Sequence, residues 1–305
     1  MPDNLPPYLF ALSAGFVYTI SALLAKRGLE LGAGTFRSLV YSNWVMALFF
    51  IPYPMLAEAP LGMEDLKAGG MIGILFFAAQ SCCFVALRSG DASMVTPIMG
   101  SKSVFVALFL FILNLSPTSL GPATWTAAIL AAIAVALIGW PARGANPSLM
   151  GLGFALATAA GFGLVDALVG SRDDQIPYFS NLSDPYNVLF SMFATVGLLS
   201  FLLIPLSRGK FLAFRGRADR WMWASCFPMG AQAVLMSIAI GFHHVPTEAN
   251  VFYSCRGFWT ILLVAWFGKR IGLEEGTIPK ATQIRRLLGA CLLLGGIYLA
   301  PLGAS

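Results

Sequence analysis

Charge is scarce in this chain: Lys, Arg, Asp and Glu make up 11% of its 305 residues, and there are two histidines. A soluble domain carries about 25% charged residues, so a soluble globular enzyme or adaptor is excluded. The net charge of +5 is small and scattered, without the clustered basic face that nucleic-acid binding needs. Metal ligands are equally sparse. The five cysteines (Cys82, Cys83, Cys226, Cys255, Cys291) fall in apolar segments and read as free thiols used as small apolar residues. Cys82-Cys83 has no partner pair, and adjacent His243 and His244 point to different sides of a helix. No H-E-x-x-H, G-x-S-x-G, P-loop or glycine-rich dinucleotide motif occurs. No cofactor, metal or ATP drive is therefore expected, and no enzymatic activity. Met1 to Pro7 lacks a positively charged leader, so no cleavable signal peptide is expected.

What is abundant is apolar sequence: 58% of residues, with mean hydropathy +0.77. A membrane span takes about 20 apolar residues. Ten segments qualify: 7–28, 35–57, 66–88, 92–114, 122–141, 148–171, 182–206, 219–243, 246–270 and 284–303. Pro7, Pro122, Pro185 and Pro246 fall at helix starts, where a missing N–H costs little. Pro52-Tyr-Pro54 should break the second span. Small residues at four-residue spacing, Gly69 with Gly73 and Ala128 with Ala132 and Ala136, are expected to let helices approach closely.

The chain is organised around a stretch and its echo. Ala86–Phe109 ends one apolar segment, turns, and begins another with Lys102 near its middle; about 154 residues on, Ile240–Leu263 repeats the pattern with Arg256. Ser13-Ala-Gly-Phe16 is echoed by Ala159-Ala-Gly-Phe162. The repeating unit is five helices. An odd number of spans inverts the second unit relative to the first, and inverted repeats place a site at mid-membrane between the units. The expected fold is an all-α polytopic membrane protein. It has ten transmembrane helices as two inverted five-helix repeats, residues 1–145 and 146–305, around a central cavity. Fifteen Lys and Arg fall on one side and two (Lys67, Arg172) on the other; the positive-inside rule then puts both termini outside the cytoplasm.

Lys102 and Arg256 are the first candidates for chemistry, because a cation at mid-membrane is expensive and functional by default. Arg can grip a carboxylate in a bidentate fork, and Lys offers a movable charge. The competing reading is that each holds the bundle together by pairing with carbonyls or a buried acid. Asp166 is the clearest acid within a span. It is a candidate, with Lys102, for ion or proton coupling; otherwise it sits near a helix end and reaches Arg172 or water. Spacing puts Tyr253, Arg256 and Trp259 on one helical face, Met99 and Lys102 on the matching face, and Phe77, Gln80 and Phe84 on a third. Tyr18, Asn43 and Gln232 are further polar candidates at mid-span. Aromatics beside a cation suit a small amphipathic molecule bearing a carboxylate.

Ten spans in two inverted units, with Leu288-Gly-Ala-Cys-Leu-Leu-Leu-Gly-Gly-Ile297 closing the second, resemble the EamA-type branch of the drug/metabolite transporter superfamily. Where that family often ends its fourth and ninth helices in Gly-Glu-Arg, this chain reads Leu113-Asn-Leu-Ser116 and Gly268-Lys-Arg270. The aromatic polar cavity is most similar to the YddG-type aromatic amino-acid exporters. The resemblance implies a secondary transporter that exports amino acids and related small amphipathic compounds across a bacterial inner membrane by alternating access. Its partners would be a small-molecule substrate and the lipid bilayer, and a monomer would suffice. The rivals are a multidrug or nucleotide-sugar carrier of the same superfamily and a passive facilitator.

Overall fold

The structure, a computed structural model, describes residues 6–89, 98, 101–115, 121–139, 149–171, 184–207, 211–267 and 280–299. Every regular element among them is helical. Helix α1 (Pro7–Glu30) starts on a proline and carries Arg27 in its last turn, where a cation complements the helix dipole. Gly32 and Gly34, at φ +93° and +87°, turn the chain into α2 (Thr35–Phe50). As expected, Pro52 and Pro54 end that helix, leaving a single 3-10 turn, Tyr53–Met55. Then come α3 (Met63–Ser89), α4 (Lys102–Ile112) and α5 (Pro122–Gly139).

The second half repeats this order. Helix α6 is Leu149–Gly170. Helix α7 (Pro185–Leu199) is capped by Asp184, which accepts from the Tyr186 N–H at 2.8 Å, and runs on as 3-10 helix through Leu206. Helix α8 (Arg217–Ser237) ends in a π turn, Ile238–Phe242. The ninth apolar segment, expected as one helix over 246–270, is instead two: α9 (Pro246–Tyr253) and α10 (Arg256–Phe267). Ser254 causes the break. Its Oγ bonds the Asn250 carbonyl at 2.8 Å, its N–H is shared between the carbonyls of Asn250 and Val251, and the Cys255 N–H turns back to Phe252. The chain tightens to i→i−3 bonding there and restarts at Arg256. Helix α11 is Lys280–Leu299.

Among the described residues, five helical segments are long and apolar enough to cross a membrane: Pro7–Glu30, Met63–Cys83, Leu149–Gly170, Pro185–Leu206 and Arg217–Phe242. Leu198, Leu294 and Tyr298 expose 68%, 66% and 74% of their surface. With those segments, such an apolar exterior makes the chain a multi-pass membrane protein.

Helix partners come in exchanged sets. Helix α1 packs on α8 and α6 on α3; α2 on α8 and α7 on α3; α1 on α9 and α10, and α6 on α4; α5 lies on α11. In lipid these contacts depend on close packing rather than water exclusion. A Cβ at Gly69 or Gly73 would stand 2.4 Å from the Val188 carbonyl oxygen or 2.6 Å from that of Met192. The glycines therefore let α3 lie directly against the α7 backbone, as their spacing predicted. The alanine stripe of α5 differs from expectation. Gly289 and Gly296 of α11 meet Ala134 and Ala127, while Ala132 and Ala136 are only partly buried. Ala128 faces α4 instead, accepting from the Ser103 hydroxyl at 3.1 Å.

Candidate functional site

Lys102 and Arg256, expected near the middle of their spans, each stand at the first residue of a helix that follows a turn: Lys102 opens α4 and Arg256 opens α10. A serine shapes each turn. Ser101 bonds the Ile98 carbonyl through Oγ at 2.7 Å, as Ser254 bonds that of Asn250. A helix start is the positive end of its dipole, so each cation needs compensation from elsewhere.

Lys102 is compensated by an acid. Its Nζ lies 2.6 Å from Asp166 Oδ2, with side-chain exposures of 20% and 13%. The same oxygen accepts from Asn250 Nδ2 at 2.6 Å, and Asn250 also donates to the Pro246 carbonyl at 2.8 Å. Asp166 of α6 therefore joins α4 from one half of the chain to α9 from the other. Gly163, one turn before it, permits this, because a Cβ there would lie 2.7 Å from the Phe105 Cβ. Asp166, expected either to act with Lys102 in coupling or to reach Arg172 or water, meets Lys102; Arg172 lies outside the described residues. Phe162 lies below the ammonium, its ring centre 5.8 Å from Nζ.

Arg256 is compensated differently. Its guanidinium lies over two rings, 5.2 Å from the centre of Tyr18 and 4.9 Å from that of Tyr253, and the two rings meet edge to face at 5.8 Å. Among the described residues no carboxylate is within ion-pair distance of it. Gly15 brings α1 against this break: a Cβ there would stand 3.1 Å from the Tyr253 carbonyl oxygen. Thr19 bonds the Arg256 carbonyl at 3.2 Å. Helix α9 thus carries Asn250 to the lysine and Tyr253 to the arginine. Trp259 packs edge-on against Phe16 at 5.1 Å, its indole N–H buried and without a partner among the described residues.

Other candidates stand apart from this group. Asn43, fully buried, exchanges two hydrogen bonds with Gln80 (2.9 and 3.0 Å) and donates a third to Ser200 at 2.8 Å. All its polar capacity goes into linking α2, α3 and the end of α7. Phe77 and Gln232 are partly buried, with no side-chain bond tying them to the two cations among the described residues. Met99 and the Phe84 side chain lie outside the described residues. Sequence reasoning passed over Asn250 and Phe162. The signals for both were present, since Asn250 is three residues before Tyr253 and Phe162 closes the echo of Ser13–Phe16.

These features define a helical membrane protein with two cations at helix starts in its interior. Residues 5–140 match the model of the EamA-like transporter family, so the N-terminal half is similar to that family of transporters, within the drug/metabolite transporter superfamily. A crystal structure of another protein superposes with a TM-score of 0.71 at 17% sequence identity, over 97% of this chain and 98% of that one. That likeness is one of fold. No curated protein matches the sequence.

Proposed function

We propose that the chain is a secondary transporter that exports amino acids, aromatic and other apolar or small ones, and related amphipathic compounds across a bacterial inner membrane. Ten crossings form two inverted five-helix units, 1–145 and 146–305, with the exchanged helix partners as support for that symmetry. Spans one to four and six to nine surround the path, and five and ten pack outside it.

The observation that carries the reading is Arg256, a cation that lies against two tyrosine rings meeting edge to face, with no acid within ion-pair distance among the described residues. The Tyr253 side chain is also a hydrogen-bond partner of this guanidinium; its remaining N–H groups are offered to a planar carboxylate, and the rings offer surface to an apolar side chain. Lys102, bound to Asp166, is the switchable partner. A substrate ammonium or a proton competing for Asp166 would release it, and the contact through Asn250 would carry that change to α9. Rocking of the two units about this layer gives alternating access.

The test is counterflow of labelled Phe, Thr and Met in proteoliposomes, with wild type beside Arg256→Ala and Lys102→Ala. Saturable exchange in wild type that is lost in folded Arg256→Ala supports an amino-acid carrier. Exchange that survives both substitutions reduces the cations to scaffold. Non-saturable flux indicates a facilitator. No exchange by folded protein turns the assignment toward drugs or nucleotide sugars.

A further inference from the structure

Two buried polar contacts far from the site occupy matching positions in the two halves. Arg37 is the third residue of α2 and Asp219 the third of α8; Asn187 is the third of α7 and Asp65 the third of α3. Exchanging the halves turns one pair into the other. The pairs also lie at opposite ends of the bundle: Arg37 is at the start of α2 and Asp65 follows its end, and that 16-residue helix is about 24 Å long.

The contacts are matched in place and unequal in strength. Arg37 and Asp219 are 3% and 0% exposed. Both terminal nitrogens of Arg37 meet the carboxylate, one of them at 2.9 Å from Oδ2. Its Nε and Nη2 also bond the carbonyls of Phe211 and Ala213 at 2.6 and 3.0 Å. Asp219 Oδ2 further accepts the Arg215 N–H at 2.7 Å. At the other end Asn187 reaches Asp65 Oδ2 at 3.4 Å and the Ala59 carbonyl at 3.0 Å. Its own Oδ1 is buried without a partner among the described residues. The Gly62 N–H also donates to Asp65 Oδ2 at 2.9 Å, and the Glu58 N–H to Asp184 Oδ2 at 2.8 Å; the side-chain contact between helices is thus a charged fork at one end and a neutral-to-charged bond at the other.

We propose that these are the two end clamps of an alternating-access cycle, and that the arginine-for-asparagine difference makes the Asp65 end the easier to open. This rests on the transport reading above, because it assumes a site reached from either end in turn.

Cys83 of α3, partly buried one turn beyond Gln80, is the reporter. With the other four cysteines replaced by Ala, its modification by a membrane-impermeant thiol reagent is timed from each face of sealed vesicles. The parent should react faster from the Asp65 face. Arg37→Asn should raise the rate from the Arg37 face roughly ten-fold, the difference between a charged and a neutral hydrogen bond, and Arg37→Lys by less. Asp65→Asn should raise the rate from the Asp65 face alone, which keeps the test decisive if Arg37→Asn does not fold. Equal changes at both faces, no change in either folded variant, or no reaction from either face overturns the clamps. Face-specific shifts in a protein that exchanges no amino acid support the clamps and refute the substrate. Amino-acid exchange with unchanged labelling refutes the clamps alone.

Discussion

Lys102→Met should damage the protein more than Lys102→Met with Asp166→Asn. The substitution removes the only cation that Asp166 meets among the described residues, at 2.6 Å and with the pair 20% and 13% exposed. Breaking a fully buried pair by deleting one member costs about 3–5 kcal/mol, because the survivor remains charged and desolvated; an exposed pair is worth about 0–1. This pair lies nearer the buried limit, so either single change should cost about 2–3 kcal/mol. Neutralising both members leaves Asn250 facing an amide it can still bond, and removes the stranded charge. The double variant should then lose about 1 kcal/mol, a coupling of about 3–5 kcal/mol between residues that act as a unit. Thermal unfolding of the four proteins in one detergent measures the cycle. A double variant as destabilised as the sum of the singles refutes the pairing, and single variants that match wild type refute the burial argument.

Further outcomes follow from the same geometry. Tyr18→Leu, which removes one of the two faces under Arg256, should weaken substrate binding about three- to ten-fold through a lost cation–π contact, read as a rise in KM for exchange. Arg256→Lys should lose more than Tyr18→Leu yet less than Arg256→Gln, since it keeps the charge and gives up the planar fork. Gly69→Val should prevent close approach of α3 to α7, with its Cβ inside contact distance of the Val188 carbonyl oxygen; overpacking of this kind costs about 1–3 kcal/mol or more, visible as a lowered unfolding midpoint. Asn43→Leu should strand the Gln80 amide at a cost of about 1–3 kcal/mol, while Ser200 keeps its bond to the Val196 carbonyl, and adding Gln80→Leu should recover part of the loss in the same assay.

How far the sequence could be read differs with the range of the interaction. Apolar runs located the helices, and prolines located starts such as Pro7, Pro122, Pro185 and Pro246, because hydropathy and a missing N–H are local properties. The break at Ser254 was not legible. The apolar periodicity runs on through it, and a serine that bonds back four residues occurs within many unbroken helices. The long-range partners were hidden for a different reason. Nothing near Asp166 indicates that Lys102 and Asn250 converge on it, and Arg37, counted as a loop charge in the topology, is a buried residue gripping Asp219. The echo between the halves was the one sequence signal that reached across this distance. It placed Lys102 and Arg256 at equivalent positions, where both open a helix. It did not distinguish the cation held by an acid from the one that lies against aromatic rings.

That distinction is the centre of the account, and ligand chemistry tests it without altering the protein. Equilibrium binding of phenylalanine and of phenylalaninamide to the purified wild-type chain should differ by about ten- to one-hundred-fold in favour of the carboxylate, the range for a charged hydrogen bond lost from a desolvated site. The difference should vanish in Arg256→Gln. Equal binding of the amide, or a preference that persists without Arg256, contradicts the assignment of that arginine as the carboxylate receptor.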